Sequence, residues 1–118
     1  MTQIRDVERI REILLEIKYG EEVLMREVSD SHDHYQYYLM KDSGLLEYDI
    51  KGIGDGLTCY LNVRITSFGH DFIDTFENKS NFKGAKELAK DKGQELLKLP
   101  LEMMVDFGKL YIKQQLGL

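Results

Sequence analysis

The sequence predicts an α+β domain: a two-stranded antiparallel hairpin with helices on either side, continued by a helical extension. Three observations carry this. Residues 45–65 alternate apolar and polar with a period of two on both sides of a glycine-rich GIGDG segment, the pattern of a half-buried hairpin. The flanking stretches repeat apolar residues at three- and four-residue steps, the pattern of amphipathic helices. The last twenty residues carry two apolar stripes rather than one.

At 118 residues the chain is of single-domain size and long enough to bury a core without staples. Two parts are expected within it, residues 1–77 around the hairpin and residues 78–118 as the extension. With one cysteine, Cys59, an intrachain disulfide is excluded. No apolar run is long enough to span a bilayer, and the N-terminal stretch mixes acids with bases, unlike a signal peptide. A reducing cytoplasm is therefore expected. Net charge is −5, unevenly spread. Residues 1–43 hold six basic and ten acidic side chains, residues 44–65 two and three, and residues 66–118 eight of each. DNA binding requires Lys or Arg at several phosphates, so the acidic first part disfavours DNA as a partner.

Taken in order, Ile4, Val7, Ile10, Leu14 and Ile17 mark a first helix over about residues 2–18, with Thr2 as its cap and Gly20 as a left-handed stop. Residues 21–28 can form either a short strand or a further helical turn, and a strand paired near the hairpin is the favoured expectation. Ser29, Asp30 and Ser31 offer capping oxygens to a second helix over about residues 31–43. Its inner face is expected to hold Tyr35, Tyr38 and Leu39, and its outer face His32, Asp33, Gln36, Tyr37 and Lys41. Gly44 ends it. In the hairpin, Leu46, Tyr48 and Ile50 should share the inner face with Cys59, Leu61, Val63 and Ile65, leaving Tyr60 and Arg64 outside. The glycines Gly52, Gly54 and Gly56 should form an exposed turn. Thr66 and Ser67 can cap a third helix with Gly69, Phe72, Ile73 and Phe76 inward. Asn78-Lys79-Ser80 breaks the chain before a helix that buries Phe82, Ala85, Leu88 and Ala89. Gly93 ends or kinks that helix, and Pro100 opens the last one. There Leu101, Met104, Val105, Gly108, Tyr111 and Ile112 form one stripe, and Met103, Phe107 and Leu110 form a second. A helix apolar on two faces needs two neighbours, and a second copy of the chain would supply one.

This order of helix, short strand, helix, glycine-tipped hairpin and helix resembles a winged helix. YQYYLMKDSGLLE (residues 35–47) is similar to a helix-to-wing junction. RITSFGHDFIDTFENKSNFKGAKE (residues 64–87) resembles the stretch after the wing in an uncharacterised, YjcQ-like family of small winged-helix-like proteins from Gram-positive bacteria and their phages. Gly69, His70, Asp71 and Phe72 with Asp74, followed by Lys86, are its most specific match. The family usually has an aromatic, often Trp, near Ser67, an Arg where Glu77 stands and a Trp where Phe82 stands, so this chain departs from the pattern at the last two positions. The resemblance implies a fold and a phage or prophage setting. It implies no activity.

Candidate chemistry is thin. His32 and His34 stand two apart, so on a helix they diverge and cannot easily share one metal ion. His70 and Asp74 are spaced for a helix-surface pair, and no nucleophile accompanies them. Cys59 is expected as a packed thiol, with nothing basic beside it. GIGDG leads into a strand rather than a helix, unlike a phosphate loop. Tyr37 and Tyr60, with Arg64, would be the exposed members of any stacking platform. The sequence thus points to a non-enzymatic binding or regulatory module that works through protein–protein contacts. It implies no cofactor, metal, membrane or small-molecule substrate. A homodimer through Met103, Phe107 and Leu110 is expected. The alternative is a sequence-specific DNA-binding regulator using Lys41, Lys51 and Arg64, and the weakest reading is a small enzyme using His70 and Asp74.

Overall fold

The computed structural model describes residues 3–20, 25–28, 30–54 and 57–118. Its order is α1 (Val7–Tyr19), β1 (Met25–Val28), α2 (Ser31–Asp42), β2 (Leu46–Gly54), β3 (Leu57–Ile65), α3 (Ser67–Phe76), α4 (Lys79–Asp91), a 3-10 turn (Leu96–Lys98) and α5 (Leu101–Gln115). The three strands form one antiparallel sheet in the order β1-β3-β2. This is an α+β fold with a C-terminal helix, consistent with a winged-helix-like arrangement. The chain divides into two compact units, residues 1–70 and 71–118. The division falls within α3.

α1 starts later than its apolar spacing suggests. Asp6 caps it, its carboxylate accepting from Arg9 N at 3.0 Å, and Ile4 is 57% exposed. Thr2 lies outside the described residues. Val7, Ile10, Ile13 and Leu14 supply the buried face. Gly20 is extended (φ −72°, ψ 142°), not left-handed. Of the strand expected over residues 21–28, β1 is present and pairs with β3, Arg26 opposite Tyr60; residues 21–24 lie outside the described residues.

α2 begins at Asp30, which accepts from His32 N at 2.8 Å; Ser29 is not among the described residues. The helix closes on Gly44 (φ +81°), where Leu45 N reaches back to Met40 O at 2.8 Å. Its expected faces are corrected. Gln36, Tyr37 and Met40 point inward, and Tyr38 is 58% exposed. Buried Gln36 is fully engaged. Its amide nitrogen donates to Ile4 O (2.8 Å) and His32 O (3.3 Å), and its oxygen accepts from Asp6 N (2.8 Å). A buried amide is tolerated when its hydrogen bonds are made, so Gln36 acts as a clamp that ties the chain before α1 to α2.

The hairpin is present, but one bulge re-aims part of β3. Leu46 pairs with Ile65 and Glu47 with Arg64, whereas Asp49 pairs with Leu61 and Ile50 with Tyr60. Asn62 and Val63 together therefore stand opposite Tyr48. Asn62 takes φ +53°, a left-handed conformation that Asn tolerates better than most residues. One extra residue re-aims the side chains next to it, although Cys59 further along the strand stays buried as expected. Tyr60 consequently turns inward and is buried, contrary to the expected alternation. Ile50, expected inside, is 60% exposed. Gly52 and Gly54 belong to β2 rather than to a turn, and residues 55–56 lie outside the described part.

Thr66 caps α3, accepting from Gly69 N at 3.0 Å while its own hydroxyl donates to the carbonyls of Gly44 and Leu45. Gly69 permits close approach: a Cβ there would lie 2.2 Å from Leu45 O. In the second unit Phe72, Phe76 and Phe82 form an edge-to-face series, with centroids 5.1 and 5.3 Å apart. Asn78 caps α4, and Gly93 (φ +75°) ends it, Gln94 N reaching Ala89 O at 2.8 Å. α5 buries Leu101, Met104, Val105 and Gly108.

Candidate functional site

The first unit is built around three tyrosines. Tyr37 of α2 stacks on Tyr60 of β3 at 4.3 Å between centroids, and Tyr48 of β2 meets both rings edge-on. The Tyr48 hydroxyl donates to Tyr37 O at 2.8 Å, and His34 Nδ1 lies 2.7 Å from the Tyr60 hydroxyl. Lys41 closes one side. Its ammonium donates to Tyr48 O at 2.9 Å and lies 4.8 Å from the centre of that ring. Burial raises all three phenols, Tyr37 to about 12. The rings of Tyr37 and Tyr60 face each other inside the domain, so neither forms the exposed stacking platform considered for nucleic acid. Tyr35 and Tyr38 form a separate stacked pair at 6.1 Å.

Beside this cluster a cleft of about 230 Å³ is lined by Arg9, Arg26, Glu27, Val28, Asp30, Asp33 and Tyr37. Arg9 binds Asp33 bidentately, Nε to Oδ1 at 2.8 Å and Nη2 to Oδ2 at 2.9 Å. It also reaches Glu12 and Glu16, and Arg26 meets Glu16 at 2.7 Å. The guanidinium of Arg9 holds the Asp33 carboxyl below the usual carboxylate range, against the effect of burial. At Asp6 burial raises the carboxyl, but the Arg9 backbone N–H and His32 together lower it on balance. The lining is polar and its charges are largely paired. The Tyr37 hydroxyl, which borders the cleft, has no hydrogen-bond partner among the described residues.

The two histidines of the H-x-H pair take different partners, His32 Nε2 lying 2.9 Å from Asp6 Oδ2 and His34 meeting Tyr60. Among the described residues no three His, Cys, Asp or Glu side chains gather into a metal site. Cys59 is buried. Of the three residues considered for DNA, Lys41 is committed to Tyr48, the Arg64 guanidinium bonds Asn62 O at 3.0 Å, and Lys51 is exposed on β2. His70, Asp71 and Asp74 are exposed along α3, while Gly69 and Phe72 are buried. On α5 the second apolar stripe faces outward, with Met103 44% and Leu110 38% exposed and Phe107 half-buried between them.

Residues 4–95 match the family model described as Hypothetical protein (DUF2513). The chain belongs to this family. No curated protein matches it, and no solved structure does. The DUF2513 match takes in the sheet, the tyrosine cluster, the Arg9–Asp33 pair and the Gly69–Asp74 stretch, and ends just before the 3-10 turn. α5 and its outward stripe follow the matched region. No helix among the described residues of this DUF2513 protein is long and apolar enough to cross a membrane.

Sequence reasoning missed Gln36, Tyr37, Tyr60 and the Arg9–Asp33 pair. Asn62, a residue that adopts the left-handed region readily, was the one local signal that the strand alternation would break. Gln36 carried no such signal, since its burial depends on three backbone groups distant or on the neighbouring turn.

Proposed function

We propose that this protein is a non-enzymatic binding or regulatory module, winged-helix-like and of phage or prophage type in Gram-positive bacteria, that acts through protein–protein contacts. The supporting observation is the outward stripe of α5. Met103, Phe107 and Leu110 follow each other at helical spacing on the face opposite the buried one, and burying such side chains in a partner is favourable by about 25 cal/mol per Å² of apolar surface. The polar groups of the first unit, in contrast, are spent largely on its own structure.

A DNA-binding role draws on Lys41, Lys51 and Arg64. Only Lys51 among them lacks a described bond to the protein's own backbone, and between α1 and the hairpin a single helix, α2, is described rather than a helix pair. The protein-contact reading is tested by placing a photo-activatable cross-linking residue at position 110 in cells, with exposed position 87 as control. It predicts protein adducts from position 110 alone. Adducts to nucleic acid, or equal yields from both positions, would count against it. A mobility shift with DNA from the neighbouring genome at about 50 mM salt would establish the regulator instead.

A further inference from the structure

Beside the apolar stripe α5 carries an ordered run of exposed charges: Glu102 and Asp106, then Lys109 and Lys113. At 3.6 residues per turn all four fall along one flank of the helix, adjoining Met103, Phe107 and Leu110. Acids occupy the first half and bases the second. Glu102 and Lys113 lie equally far from a midpoint between Phe107 and Gly108, and so do Asp106 and Lys109. A two-fold axis through that midpoint would bring each acid against a base of a second copy, on the same flank of both helices. The same operation interleaves the apolar residues along the seam, so that Leu110 of one copy falls between Met103 and Phe107 of the other.

Resting on the reading of α5 as a contact surface, we infer that the occupant of this face is a second copy of the chain, paired antiparallel through α5. Self-complementarity is the requirement of a two-fold interface, and this face meets it in the order of its charges and in the spacing of its apolar residues. The sign order also suits the helix macrodipole, but the macrodipole gives no reason for an apolar stripe alongside the charges. A helix of 15 residues is about 22 Å long, so the interface is small.

The test is sedimentation velocity over roughly 5–500 µM, the span a small interface requires. The wild type self-associates. The double variants Lys109→Glu/Lys113→Glu and Glu102→Lys/Asp106→Lys each place like charges in register and self-associate about 100-fold more weakly. Their equimolar mixture forms a heterodimer, and the fourfold exchange of all these charges recovers self-association. Circular dichroism on each variant verifies that the helices are retained. Double variants that dimerise like the wild type, or a mixture and a fourfold variant that both stay monomeric, overturn this pairing. A wild type monomeric at every concentration also overturns it, while cross-linking from position 110 would still report contact with a different protein.

Discussion

The two units of the chain use their polar side chains in different ways. In residues 1–70 nearly every group that invites a functional reading is engaged internally. Lys41 holds a strand carbonyl, His34 faces Tyr60, Arg9 locks Asp33, and Gln36 clamps three backbone groups. In residues 71–118 the polar side chains are mostly at the surface, and Met103 and Leu110 join them on one face of a single helix, whereas exposed apolar residues of the first unit, such as Ile4, Tyr38 and Ile50, lie on separate segments. The difference teaches that an unusual residue is weak evidence of function until its partners are known. An ordinary one on the wrong side of a helix is stronger evidence.

The largest effect should come from breaking the first unit at its tightest point. Gly69→Ala would put a methyl group 2.2 Å from Leu45 O, a backbone atom that cannot swing aside. A loss of about 3 kcal/mol is expected by denaturant unfolding. Gly84→Ala, where the obstacle is the Tyr111 side chain, should cost about 1 kcal/mol because that ring can move.

The tyrosine cluster allows a sharper contrast. Tyr48→Phe deletes the hydrogen bond to Tyr37 O and should cost about 1 kcal/mol. Tyr37→Phe removes a buried hydroxyl with no partner among the described residues, and should be neutral or stabilising by up to about 1 kcal/mol. Equal losses for the two would show that the Tyr37 hydroxyl is satisfied after all.

Asp33 gives a pH signature. Its carboxyl is held below its unfolded value, so the stability it contributes is present above about pH 4 and is lost as pH falls through its folded value. Thermal melts from pH 7 to pH 3 should show Asp33→Asn starting lower, by about 1 kcal/mol, and losing less on acidification. The smallest effect belongs to the outward stripe. Leu110→Asp should change the stability of the isolated chain by less than about 0.5 kcal/mol, since the site is largely in solvent.

The architecture was legible because its signals are local. The stops at Gly44 and Gly93, the Thr66 cap, the Asn78 restart and the close approach at Gly69 all rest on one or two residues. The first unit's interior was not. Four of the five residues from Tyr35 to Leu39 are tyrosine or leucine, so periodicity could not choose the buried face of α2. The bulge at Asn62 then broke the strand alternation that would have placed Tyr60. The Arg9–Asp33 pair joins residues 24 apart, a long-range contact that no local pattern encodes. On α5 both stripes were visible from spacing alone, because a regular helix keeps its period throughout.

Methionine oxidation, read by mass spectrometry at low and high protein concentration, tests the contrast most directly. Met103 is exposed, whereas Met104 and Met40 are buried. If α5 is a contact surface for a second copy of the chain, oxidation of Met103 falls as concentration rises, and modification of exposed Tyr38 in the first unit stays constant. Protection that appears at Tyr38 while Met103 remains fully reactive would contradict the account.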